Sequence, residues 1–131
     1  MVVLDTTFLI HLLRNTQNAG EKLSTLSEPF CTTRINLFEV LKGVYLKNSE
    51  EKESALSIFK EFIKTFKVLE LDASSTHIAA IISAELRKKG ETVDSADLLI
   101  AGIALSNGEN RIVTQNVKDF SKIPHIQVEN Y

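Results

Sequence analysis

The sequence predicts an α/β fold in which a mostly parallel sheet is covered by helices on both faces. Five short runs of β-branched or alternating apolar residues have the length of strands, and segments with apolar residues at helical spacing separate them. With two prolines and five glycines in 131 residues, few positions interrupt these segments. Strands that alternate with helices pair in parallel, because each helix carries the chain back across the sheet.

The first half of the chain gives two strands, each followed by a helix. Residues 2–4, VVL, suit a buried strand, and residues 6–14 carry apolar side chains at helical spacing. A further helix is predicted over 19–26. Pro29 then begins a second strand, PFCTT, and helical spacing returns over 34–46.

The second half repeats the alternation. Helices are predicted at 50–66, 77–90 and 94–108, strands at 68–71, 111–114 and 126–130, and a short turn or helix at 116–120. Gly90 and Gly108 end the second and third of these helices, since glycine favours the position after a helix. The last strand is expected at an edge of the sheet, and residues 1–131 are expected to form a single domain.

Composition limits the classes of function. A net charge of -2 excludes the strongly basic surface of a protein that grips long duplexes through phosphates. The single cysteine, Cys31, excludes an internal disulfide and a thiolate zinc cluster. The apolar amino terminus is broken at Asp5, before the length that a signal peptide or membrane helix needs. We therefore expect a cytoplasmic protein without a membrane partner.

Asp5 and Glu39 are the first candidates for chemistry. Asp5 directly follows the predicted central strand, and ligands of parallel sheets bind beyond the carboxyl ends of strands. The alternative is that Asp5 only caps the next helix. Glu39 lies at the edge of the apolar face of its helix, where it could instead reach water or pair with Lys42.

Two further acids, Asp94 and Asp97, begin an otherwise apolar helix. Their spacing of three residues directs both side chains to the same side of its first turn. We interpret Asp94 as the helix cap and a possible supporting group. Asp97 is interpreted as the functional acid, because it shares a face with the small residues Ala101 and Ala104.

Polar residues also follow the strand at 111–114. Thr114, Asn116 and Asp119 lie at another carboxyl strand end, although turn and cap roles are ordinary for such residues. If the acids converge, like charges could not all stay ionised without a cation. Oxygen ligands without His or Cys suit Mg²⁺ or Mn²⁺, which also bind phosphates. The pattern favours hydrolysis of phosphodiester bonds by a metal-activated water.

Four segments resemble the PIN-domain family, in order along nearly the whole chain: VVLDTTFLI, NLFEVLKGV, DLLIAGIAL and IVTQNVKDF. The carboxyl-terminal part, DLLIAGIALSNGENRIVTQNVKDFSKI, is similar to VapC-type toxins of toxin–antitoxin pairs. The resemblance implies a three-layer α/β/α sandwich with about five strands and an acidic pocket that binds Mg²⁺ or Mn²⁺ and cleaves RNA. It also implies a homodimer and a cognate antitoxin protein.

Matched to the family pattern, Asp5, Glu39 and Asp97 correspond to its three acids and Asp119 to a more variable fourth. Thr7, Thr114 and Asn116 are similar to its supporting groups. Many relatives have an arginine where this chain has Gln115, which removes one expected phosphate contact. The candidate replacements are Lys118, Lys42 and Arg14.

Two other functions fit parts of the pattern. A phosphoacceptor receiver domain is also a short α/β fold with acids, a threonine and a lysine at strand ends. It needs an acidic pair after its first strand, where Asp5 stands alone, and an aspartate after a central strand, where PFCTT has none. A PIN-like module that binds RNA or protein without cleavage is the other alternative, although every candidate ligand is present.

Overall fold

A computed structural model describes all 131 residues. The strands are β1 (Val2–Leu4), β2 (Phe30–Thr33), β3 (Lys67–Leu69), β4 (Arg111–Val113) and β5 (Gln127–Glu129). The helices are α1 (Thr6–Leu13), α2 (Gln17–Thr25), α3 (Arg34–Tyr45), α4 (Ser49–Phe62), α5 (Ala73–Lys88), α6 (Ser95–Ser106) and α7 (Val117–Phe120), with a 3₁₀ turn at Ile63–Thr65. No helix is both long and apolar enough to cross a lipid bilayer.

The five strands form one parallel sheet in the order β3-β2-β1-β4-β5, which confirms the predicted fold class. β1 lies at the centre, where Val3 is in register with Cys31 of β2 and Ile112 of β4. β5 lies at an edge, as predicted. A receiver domain has the order 2-1-3-4-5, so the observed order argues against that alternative.

Helices cover both faces of the sheet, because successive side chains of a strand point to opposite sides. Val3 packs on one face with α5 and α6, including Ile82, Ile100 and Ile103. Val2 and Leu4 pack on the other face with α1, α3 and α4. Asp5 follows β1 directly, so it lies where both layers meet the end of the sheet.

Helices α5 and α6 approach each other closely at Gly102. A Cβ atom built there would lie 2.6 Å from the Ser75 carbonyl oxygen and 2.9 Å from the Ala79 Cβ. Contacts below about 3 Å are not tolerated in a close-packed interior. The absence of a side chain at Gly102 therefore permits the helix pairing that supports α6, on which Asp97 lies.

Several helix boundaries differ from the predictions. α2 begins at Gln17, two residues before the predicted start. α5 begins at Ala73, four residues before the predicted start, because Asp72 and Ser75 form a capping box. Three phenylalanines of the segment predicted as a helix at 50–66 contribute to the core: Phe59 is buried, and the Phe62 and Phe66 rings pack 4.6 Å apart.

Candidate acidic site

The candidate site lies at the carboxyl edge of the sheet. β1 ends at Leu4 and is followed by Asp5, while β4 beside it ends at Val113 and is followed by Thr114. The Asp5 N–H donates to the Val113 carbonyl oxygen at 3.0 Å, so the two strand ends lie side by side. This pairing brings residues far apart in the sequence into contact.

Buried Asp5 is held by two side-chain donors. Thr114 Oγ1 donates to Oδ2 at 2.6 Å, and Asn36 Nδ2 donates to Oδ1 at 3.0 Å. Asp5 occupies the cap position of α1, yet its side chain makes no capping hydrogen bond. Helix capping alone therefore does not account for Asp5.

Asn36 links Asp5 to Glu39. Its Nδ2 also donates to Thr6 Oγ1 at 3.0 Å, and Thr6 Oγ1 donates to Glu39 Oε1 at 2.7 Å. Asn36 is fully buried, and its Oδ1 accepts from the Thr33 hydroxyl and backbone N–H. Glu39 is half-buried and forms no ion pair with Lys42, so the predicted alternative of a Glu39–Lys42 pair is wrong.

Asp97 is joined to Asp5 through the segment after β4. Asn116 Nδ2 donates to Asp97 Oδ2 at 2.8 Å, and the Asn116 N–H donates to Thr114 Oγ1 at 2.8 Å. Thr114 in turn donates to Asp5. Two predicted supporting residues, Thr114 and Asn116, thus connect acids that come from β1 and α6.

The other predicted residues are less closely connected. Asp94 occupies the cap position of α6 without a side-chain capping hydrogen bond. Asp119 lies 3.8 Å from Lys122 Nζ and makes no hydrogen bond to another acid. Thr7 makes no side-chain hydrogen bond in the structure, whereas the neighbouring Thr6 contacts both Glu39 and Asn36.

Thr6 and Asn36 are the functional candidates that the sequence interpretation missed. The signal available for Asn36 was the pattern Thr33-x-x-Asn36 at the junction of β2 and α3, which forms a capping box. A capping box explains only the contacts with Thr33. The amide group of Asn36 faces Asp5 and Thr6, and this becomes visible only in three dimensions.

None of the three proposed phosphate-contacting cations balances the acids. Arg14 and Lys118 are exposed, and Lys42 Nζ lies 5.5 Å from the centre of the Phe38 ring. Asp5, Glu39, Asp94 and Asp97 form no ion pair with any lysine or arginine. The site therefore carries excess negative charge within the protein.

Burial and this negative charge together raise the pKa of Asp97 from 3.8 to about 7. Burial is the largest cause, followed by the negative charges of Asp5, Asp94, Glu39 and Asp119. Burial also raises the pKa of Asp5, and its hydrogen bonds from Thr114 and Asn36 partly oppose this effect. All the predicted acids thus act on Asp97 electrostatically.

The donor set fits a hard divalent cation. The acids supply only oxygen ligands, their charge has no protein counterion, and a cation would relieve the repulsion that raises the Asp97 pKa. No three acidic, histidine or cysteine side chains already surround one metal position. Mg²⁺ suits such a site, because it keeps several waters and needs only one or two carboxylates.

We expect the metal-free protein to lose stability as the pH rises from about 4 to about 7. Folded Asp97 keeps its proton up to pH about 7, whereas the unfolded chain releases it near 3.8. The folded state thus binds more protons in this window, so the free energy of unfolding falls with pH. Asp97 contributes about 2 to 4 kcal/mol to this fall.

Thermal unfolding in EDTA at pH 5 and pH 8 measures this effect. The wild type should lose more stability between the two pH values than Asp97→Asn, whose amide does not titrate. Equal pH dependence of the two proteins would contradict the assignment of a raised pKa to Asp97.

Comparisons with known proteins give the following matches. A family model described as PIN domain matches residues 2–126. The tRNA(fMet)-specific endonuclease VapC of Salmonella typhimurium is 32% identical over 98% of this chain and 96% of its own length. Ribonuclease VapC1 of Rickettsia felis is 30% identical over 97% of this chain and 93% of its own length.

Solved structures match over the same extent. VapBC2 from Rickettsia felis, bound to a DNA fragment from its promoter, gives a TM-score of 0.88 at 26% identity and covers 100% of this chain and 99% of that one. DNA-bound VapBC from Salmonella typhimurium gives a TM-score of 0.85 at 32% identity, and the match covers 98% of this chain and 96% of that one. The similarity therefore extends through both helical layers and the acidic edge of the sheet.

Proposed function

This chain belongs to the PIN-domain family, and on that premise we propose that it is an endoribonuclease that requires Mg²⁺ or Mn²⁺ and acts as the toxin of a toxin–antitoxin pair. The observation that carries the proposal is the convergence of Asp5, Glu39 and Asp97 in one hydrogen-bonded network without a protein counterion. One curated relative is named as a tRNA(fMet)-specific endonuclease and another as a ribonuclease, which supports RNA as the substrate.

Asp5, Glu39 and Asp97 are the residues that would hold the metal, with Asp119 at the rim. A bound divalent cation supplies activation of water and neutralises charge that develops on the phosphate. Asn116 donates to Oδ2 of Asp97, which leaves Oδ1 without a protein hydrogen bond. Thr114 and Asn36 fix the Asp5 carboxylate, so its orientation is set before substrate binds.

Metal addition is expected to stabilise the protein and to be required for cleavage. At a metal concentration 100 times the Kd, binding to the folded state alone stabilises it by about 2.7 kcal/mol. Thermal unfolding with and without MnCl₂, together with cleavage of fluorescently labelled single-stranded RNA, measures both effects. RNA cleavage that persists in excess EDTA would refute the metal requirement. The absence of cleavage with both Mg²⁺ and Mn²⁺ would refute the nuclease assignment.

The proposed partners are a cognate antitoxin and a second copy of the chain, and the proposed location is the cytoplasm. The similar solved structures are VapBC toxin–antitoxin complexes, which supports the antitoxin. Light scattering should give about twice the monomer mass of 14.6 kDa if the chain is a homodimer. A monomer mass at micromolar concentration would contradict the dimer.

A further inference from the structure

A cleft of about 280 Å³ lies outside the acidic network. It is lined by His11, Thr16, Gln17, Asn18 and Gln115. Gln115 stands between Thr114 and Asn116, which hydrogen-bond to Asp5 and Asp97 respectively. Gln115 therefore links the cleft to the segment that holds two of the acids, and no residue that lines the cleft belongs to the acidic network.

His11 is held in a fixed orientation at the wall of this cleft. Its Nδ1 lies 2.7 Å from the Tyr131 hydroxyl, and the two atoms share a hydrogen bond. The Tyr131 ring packs edge-on against Phe8, with 4.7 Å between ring centres. His11 Nε2 has no protein partner, so this nitrogen is free to form a hydrogen bond with a ligand.

Thr16, which also lines the cleft, has a hydroxyl group whose hydrogen-bonding capacity the protein does not use. Thr16 Oγ1 is the one buried side-chain oxygen or nitrogen in the chain without a hydrogen-bond partner. Thr16 occupies the cap position of α2, yet its side chain makes no capping bond. The first N–H groups of a helix have no partners within the helix, so donors at this end of α2 are also free for a ligand.

The groups in the cleft match the edge of a nucleobase better than a phosphate. Three carboxamides, a hydroxyl and an imidazole supply both donors and acceptors, and no lysine or arginine lines the cleft. Phosphates are bound chiefly by cations and N–H donors. Base edges present mixed donors and acceptors, and proteins read unstacked RNA bases through such groups.

We propose that this cleft binds one nucleobase of the RNA strand, next to the phosphate that is cleaved, and thereby sets sequence preference. The inference rests on the proposed ribonuclease function. Gln115 lies between the base and the acids, so base recognition and positioning of the phosphate are coupled through one short segment. Asn18 and Thr16 contribute to recognition without touching the acidic network.

The test uses a panel of RNA hexamers that differ only in the base next to the cleaved bond. We expect wild-type kcat/KM to vary by about tenfold or more between the best and worst base, which is the size of one good hydrogen-bonded contact. Asn18→Ala and Thr16→Val should reduce this ratio several-fold. Gln127→Ala removes an exposed carboxamide from β5, outside the cleft, and should leave the ratio unchanged.

Thermal unfolding separates recognition from folding. Because the Thr16 hydroxyl has no protein partner, Thr16→Val is expected to keep or raise the Tm. An unchanged ratio in both cleft variants, or an equal loss of kcat/KM for every base, would overturn the inference.

Binding to Asp97→Asn protein gives a readout that does not need cleavage. Fluorescence anisotropy with the same hexamers should show a base-dependent Kd, and adding Asn18→Ala should reduce the ratio of the Kd values between the best and worst base several-fold. If the wild type cleaves no RNA but this pattern of binding holds, the nuclease assignment fails and the base site stands. If the wild type cleaves and the Kd values do not depend on Asn18, the base site fails and the nuclease assignment stands.

Discussion

Asp97→Asn is expected to reduce RNA cleavage by about 1,000-fold, because removal of a metal-holding carboxylate forfeits several kcal/mol of transition-state stabilisation. Asn has the same shape as Asp, and the network from Asn116 through Thr114 to Asp5 does not depend on the Asp97 charge. The variant should therefore fold. In EDTA at pH 8 its Tm should exceed that of the wild type, because a repelled buried charge has been removed.

Steady-state cleavage of labelled RNA with saturating Mn²⁺ measures the loss, and thermal unfolding reports the fold. Glu53→Gln is the matched control, since Glu53 is exposed on α4 and forms no ion pair or side-chain hydrogen bond. Asp94→Asn should reduce cleavage less than Asp97→Asn does, because Asp94 acts on Asp97 through its charge. If the activity of Asp97→Asn stays within tenfold of that of the wild type, the assignment of Asp97 to the metal-holding site is wrong.

Gly102→Leu is expected to destabilise the protein by at least about 3 kcal/mol, which corresponds to a fall in Tm of roughly 10 °C. The new Cβ would overlap the Ser75 carbonyl oxygen and the Ala79 Cβ. Two of the three nearest atoms belong to the α5 backbone, so rotation of a side chain cannot relieve the contact. The helices would have to separate and expose part of the core between them.

Gly43→Ala is the matched control for this prediction. Gly43 lies within α3, and a Cβ at this position meets no atom within 4 Å. Its replacement should stabilise the protein by about 0.5 to 1 kcal/mol, because alanine favours helix over glycine. Denaturant unfolding of both variants measures the difference, and a Gly102→Leu protein as stable as the wild type would show that α5 and α6 tolerate a wider spacing.

The sequence predicted the order of strands and helices because local periodicity reports which face of each element is buried. The same reasoning placed Asp5 and Thr114 at carboxyl strand ends on one edge of the sheet, since parallel strands share a carboxyl edge. It did not predict Thr6 or Asn36. Their importance comes from the approach of α1 to the start of α3, and nothing in the spacing of residues 6 and 36 encodes that contact.

Helix caps were the other point that the sequence left open. Asp5 and Asp94 both precede helices, and aspartate at such positions usually accepts a backbone N–H. In the structure neither side chain makes a capping hydrogen bond to its helix. Sequence alone cannot separate a capping aspartate from one that is turned towards other side chains, because the two have the same neighbours along the chain.

The central place of β1 has a consequence for biosynthesis. Asp5 emerges among the first residues, but its partner Thr114 belongs to the segment after β4, which is synthesised more than a hundred positions later. Until β4 inserts beside β1, Thr114 and Asn116 cannot connect Asp5 to Asp97. A polypeptide that ends before that segment would therefore lack the connection between Asp5 and Asp97, and the complete acidic network can form only after nearly the whole message has been translated.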